Sequence, residues 1–202
     1  MALSESSLQI LFLLYCDKKS IGKKMKHIVF LLLLAGCGLS DPRGLYALSQ
    51  VNPAHDDPGG LAVAIAPPST LRLMPKGTRL IMTLQRGDAA PEKQIFTLVP
   101  AAAEGPVAQA QVFALRDTDL PALRAMQAQN DQRLEAGQQS TLALSLEADA
   151  CRTVRELPQD ARGSVWIRTR ADADFAPLLV NTPLAKIPGW EDAANKILPC
   201  TP

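Results

Sequence analysis

The chain has 202 residues, 47% of them hydrophobic and 20% charged, which excludes a disordered or collagen-like polymer and suits one ordinary domain. Its net charge of +1 leaves no electrostatic footprint for nucleic acid. Aromatic residues make up only 4%, so a core has to be assembled mainly from Leu, Val, Ile and Ala.

The first apolar run, Leu8 to Tyr15, ends at Cys16. A second begins after Lys23, Lys24 and Lys26 and covers Ile28 to Leu34, followed by Ala35, Gly36 and Cys37. A basic segment holds its side of a membrane, and seven apolar residues are too few for a permanent spanning helix. The order of basic segment, short apolar run and Leu34-Ala35-Gly36-Cys37 resembles the signal peptide and lipobox of bacterial lipoproteins. Large Tyr15 beside Cys16 fits that pattern poorly, and Met25-Lys26 resembles an ordinary signal-peptide start. We therefore read residues 1–36 as a leader, with 1–24 an upstream extension and translation starting at Met25.

The resemblance implies that Cys37 is lipidated on its thiol and becomes the mature N-terminus. Two or three acyl chains, at about 0.8 kcal/mol per buried CH₂, then anchor the protein to a membrane. It also implies that Gly38, standing where Asp would favour inner-membrane retention, sends the protein to the outer membrane, facing the periplasm, in a Gram-negative host. The mature part carries sixteen basic residues against eighteen acidic ones, twelve of the sixteen being Arg. So balanced a body offers no polybasic grip on anionic lipid.

Lipidation of Cys37 leaves Cys151 and Cys200, and two thiols in an oxidising compartment pair. The bond would close a loop of about 50 residues and contribute roughly 4 kcal/mol in the chain-entropy picture. Two buried free thiols, or a metal pair, are the alternatives. A metal pair lacks CxxC spacing and has only His55 as a mature histidine.

Residues 37–60 read as a lipidated N-terminus and tether, broken by Pro42, Pro53, Pro58, Gly59 and Gly60. Within it, 45–51 fits either a short strand or a helical turn. A single globular domain over 61–202 follows. Period-two patterns predict strands at 61–66, 71–74, 79–85, 94–99, 111–116, 141–147, 165–170 and 175–181. Pro100 to Pro106 reads as a small-residue loop. A helix is predicted over 119–136, with cap oxygens at 117–119 and Gly137 as its stop. Its apolar stripe of Leu120, Leu123, Met126 and Leu134 is thin, which suits a helix on the edge of the body. A last turn of helix is expected at 191–197. The fold class is mainly β, an antiparallel β-sandwich or half-open barrel, with one peripheral α-helix near 119–136.

No nucleophile-and-base set, phosphate loop or HExxH is present, so no residue is assigned to catalysis, metal or cofactor binding. His55-Asp56-Asp57 reads as a solvated turn, and Asp172 and Asp174 as a hairpin turn without the calcium-loop spacing. Arg72, Arg79, Arg168 and Arg170 lie on or beside strands and could converge into an anion-binding face, though a solvent-facing row is the plainer reading. Trp166 shares a face with Arg168, which allows a cation–π contact, and ordinary packing under the helix is its plainer role.

These features favour a lipid-anchored envelope protein with a non-enzymatic binding or assembly-accessory role, its partner another envelope protein or a glycan. A periplasmic enzyme acting on cell wall or polysaccharide through paired carboxylates is the alternative.

Overall fold

The computed structural model describes residues 8–10 and 55–201. The leader's basic and lipobox residues, Cys37 and the tether up to 54 lie outside the described residues. In chain order the strands are β1 (Leu8–Ile10), β2 (Ala62–Ala66), β3 (Leu71–Arg86), β4 (Glu92–Thr97), β5 (Val99–Pro100) and β6 (Gln111–Ala114), then β7 (Ser140–Arg152), β8 (Arg162–Arg168) and β9 (Ala176–Pro183). The helices are α1 (Leu120–Glu135) and the short α2 (Trp190–Ala194).

All strand pairings are antiparallel. One sheet has the order β1-β7-β3-β4 and the other β5-β6-β2-β8-β9. The mainly β antiparallel class expected from the sequence is therefore the observed one. A single core joins both sheets, drawing on Leu80, Met82 and Leu84 of β3, Leu142, Leu144 and Leu146 of β7, and Val63, Val165 and Ile167 of the other sheet. Leu80, Met82 and Leu84 are wholly excluded from solvent. Burying each such side chain contributes about 1.5–3 kcal/mol.

Several elements differ from their sequence patterns for identifiable reasons. Residues 71–74 and 79–85 belong to one long strand. Its register against β7 shifts between Leu73 and Thr78, where Lys76 takes a left-handed φ of 63°. The Pro75-Lys76-Gly77 break is thus an irregularity inside a strand, the place where a proline is tolerated. β7 runs on to Arg152, five residues past the alternating segment, because Leu71–Leu73 pairs with Ala150–Arg152. The apolar run beginning at Leu8 supplies β1, which places Leu8 opposite Ala148 on the β7 edge.

Helix α1 has two unlike halves. Leu123 and Met126 are buried in the main core, and Gln127 and Asn130 are buried with them, whereas Leu134 is exposed. The helix thus lies on the edge of the β body, as its thin apolar stripe led us to expect, with one face turned into the core. Gly137, at φ 70°, lets the Gln138 amide turn back to the Arg133 carbonyl and end the helix.

The outer face of β2 carries Ala62, Ala64 and Ala66. They form a second small cluster with Val112 and Trp166, against which Ala101, Ala103, Val107, Ala110 and Phe175 pack. The loop at 100–110 therefore covers the second sheet, and its small residues let it lie close. Trp166 is packed under this loop and not under α1, a correction to the sequence reading. The helix packs instead against β3 and β7.

Candidate functional site: a cationic groove at the disulfide end

At one end of the strands the segment 55–60, expected to be tether, is joined to the body by polar contacts. Asp57 accepts from Arg124 of α1 at 2.7 Å and from the Gly59 amide at 3.3 Å. The Arg124 bond, helped by the Gly59 amide, holds the Asp57 carboxyl below the ordinary aspartate range. His55 Nδ1 lies 3.2 Å from Asp131, Thr169 donates to the Asp56 carboxylate, and the Gln127 amide donates to the Asp56 carbonyl at 2.9 Å. Gly60 passes so close to the next loop that a Cβ would sit 2.3 Å from the Ala171 nitrogen. The His55-Asp56-Asp57 turn is thus a seam between chain entry, α1 and β8, with only a small void of about 10 Å³ beside it.

The other end of the strands is built differently. Cys151, near the end of β7, and Cys200 have sulfurs 2.03 Å apart and Cα atoms 4.8 Å apart. The tail is also zipped to the end of β7. The Arg152 amide donates to the Leu198 carbonyl and the Cys200 amide to the Arg152 carbonyl, both at 2.9 Å. Above this junction opens a groove of about 390 Å³. Arg72, Arg152 and Arg155 line it, with Thr153, Val154 and the tail residues Pro199 to Thr201.

The strand register brings these arginine positions to one end of the sheet. Arg72 pairs with Cys151 and Leu71 with Arg152 across β3 and β7, and the chain then turns through Thr153 toward Arg155. Thr153 fixes that turn, its amide donating to the Thr70 carbonyl and its hydroxyl to the Ser69 carbonyl. None of the three guanidinium groups has an ion-pair partner among the described residues. The Arg152 Nε is buried without a hydrogen bond there. A buried polar group in that state calls for a partner.

The four arginines considered from sequence do not share one face. Arg72 alone lines the groove. Arg79 binds Asp149 through two bonds of 3.0 Å and Glu147 at 3.4 Å. Burial alone would lower the Arg79 pKa, but the two carboxylates more than offset this and hold it above the ordinary arginine value. Arg168 stacks over Phe175, 5.1 Å from the ring centroid, so the cation–π contact forms with Phe175. Arg170 turns to Asp172 at 3.3 Å in an exposed loop.

The sequence reading missed Arg152 and Arg155. Both follow Cys151 closely, and a cysteine assigned to a disulfide was the available signal that the arginines around it would be drawn together.

A third feature is an apolar slot of about 40 Å³ between the sheets, lined by Ile65, Leu71, Ala150, Gly163, Leu179 and Ile187 among others. Among the described residues no cluster of three His, Cys, Asp or Glu side chains could hold a metal, and no helix is long and apolar enough to cross a membrane. Comparison with protein-family models, curated proteins and solved structures finds no match for this chain.

Proposed function

We propose that this chain is a lipid-anchored protein of the bacterial cell envelope, with a non-enzymatic binding or assembly-accessory role. The observation that carries the reading is the basic segment, apolar run and Leu34-Ala35-Gly36-Cys37 in that order. Acylated Cys37 holds the protein on the membrane, and the body presents its surface to another envelope protein or a glycan. In a Gram-negative host Gly38 directs it to the outer membrane, facing the periplasm.

Two features of the body support this reading. The Cys151–Cys200 bond suits an oxidising compartment. The groove at the same end carries cationic side chains without protein partners among the described residues, which suits recognition of a ligand. The close carboxylates Glu147 and Asp149 are both bound to Arg79.

Metabolic labelling with palmitate tests the anchor. Label enters the native protein, and Cys37→Ser abolishes it while leaving an unprocessed precursor. Equal labelling of the Ser variant overturns the reading.

A further inference from the structure

We propose that the groove formed by Arg72, Arg152 and Arg155 beside the Cys151–Cys200 bond is a binding site for a phosphoryl oxyanion. The inference concerns the body alone and does not depend on the anchor at Cys37.

Three observations converge on it. First, the arginines line one groove of about 390 Å³, a volume that takes a compact head group but not an extended polymer. Second, among the described residues no carboxylate lines the groove, and Arg72, Arg152 and Arg155 have no ion-pair partner. Every other arginine the sequence analysis singled out is engaged, Arg79 by Glu147 and Asp149, Arg168 by Phe175, and Arg170 by Asp172. Third, Arg72 and Arg155 are exposed, so both are open to a ligand from solvent.

The chemical class follows from the number of forks. One guanidinium matches a carboxylate through two parallel bonds. Several arginines lining one groove suit the larger charge and additional terminal oxygens of a phosphomonoester or free phosphate. The frame is also rigid before any ligand arrives. β3 and β7 fix Arg72 against Cys151, the tail is bonded to Arg152 through its backbone, and the disulfide closes the base. A site that is already ordered loses little entropy on binding. Val154 lines the same groove, giving an apolar contact beside the charge.

The phosphoryl group could belong to a free phosphate or to a lipid head group, and two probes separate these sources. The full chain, purified in neutral detergent at low salt, is titrated with inorganic phosphate and, separately, with dihexanoylphosphatidic acid, a phosphomonoester, and binding is followed by calorimetry. Saturable binding of phosphate alone identifies a free phosphoryl ligand, and binding of the lipid identifies a head group. The double variant Arg72→Gln, Arg155→Gln weakens binding at least tenfold, whereas Lys93→Gln, at an exposed position of β4 outside the groove, leaves it unchanged. Both groove substitutions are at exposed positions, and an unchanged near-ultraviolet dichroism spectrum confirms that the variant is folded. Equal affinity of the double variant, or no saturable binding of either probe, overturns the proposal.

Discussion

The two ends of the β body handle charge in opposite ways. At the α1 end, Asp57 meets Arg124, His55 meets Asp131, and Asp56 accepts from Thr169, so the charges lock one segment of chain to another. At the disulfide end, Arg72, Arg152 and Arg155 line a groove with no acidic side chain among the described residues of its lining. The tail at that end is held by the Cys151–Cys200 bond and its own backbone hydrogen bonds. A covalent tie lets like charges stay together without serving as the fastening. The α1 end is closed by its side chains, whereas the disulfide end leaves its side chains available.

The largest effect that could break this comparison is loss of the disulfide. Cys200→Ala removes a cross-link between residues 49 apart in sequence and should cost about 4 kcal/mol by loop-closure entropy. Denaturant unfolding measures it. The native protein in reductant should fall to the stability of the variant, and the variant should be indifferent to reductant. A variant as stable as the oxidised protein would show that the tail's backbone bonds suffice.

At the α1 end the comparison predicts a cost in packing instead. Leu123 is buried among core residues of the body, and Leu123→Ala should cost about 3 kcal/mol through lost transfer energy and the cavity left behind. That loss should be the same with and without reductant, as judged by the denaturation midpoint. A loss under 1 kcal/mol would place α1 outside the core after all.

The smallest effect sharpens the electrostatic side. The Asp57 carboxyl is held below its ordinary range by Arg124 first and by the Gly59 amide second. A depressed folded-state pKa contributes stability above the unfolded value, and this is lost as pH falls through the folded one. The pair is exposed, so its contribution is small. Carboxyl carbon shifts followed by NMR should titrate Asp57 below an ordinary aspartate, and Arg124→Gln should move that midpoint upward. An unmoved midpoint would assign the shift to the Gly59 amide alone.

Much of the fold was legible in the sequence where a local pattern and the tertiary contacts agreed. Leu142-Ala143-Leu144-Ser145-Leu146 alternates plainly and is a strand, and the residues of α1 combine helix propensity with a glycine stop. Legibility failed where a partner supplied the order. Ala148 to Arg152 has little strand propensity of its own and extends β7 because Leu71 to Leu73 lies beside it. Trp166 could be placed on a face, but only the loop at 100–110 decides what covers it. The same limit applies to the groove. Arg72 is visible as a strand arginine, whereas its meeting with Arg155, 83 positions further along, depends on the register of β3 against β7.

The placement of β2 has a mechanical consequence if the chain is anchored at Cys37 as proposed. Tension from such an anchor would enter the body through residues 55–61 and pass into β2, which lies between β6 and β8 in its sheet. The cationic groove is at the far end of the strands, so a load between the proposed anchor and a ligand in the groove would run lengthwise along them. Pulling β2 along its axis must shear two antiparallel ladders together, engaging many backbone bonds in parallel, whereas an edge strand peels one bond at a time. The exposed Asp57–Arg124 and His55–Asp131 contacts would yield first and lengthen the leash, while the sheet that carries the load stays intact.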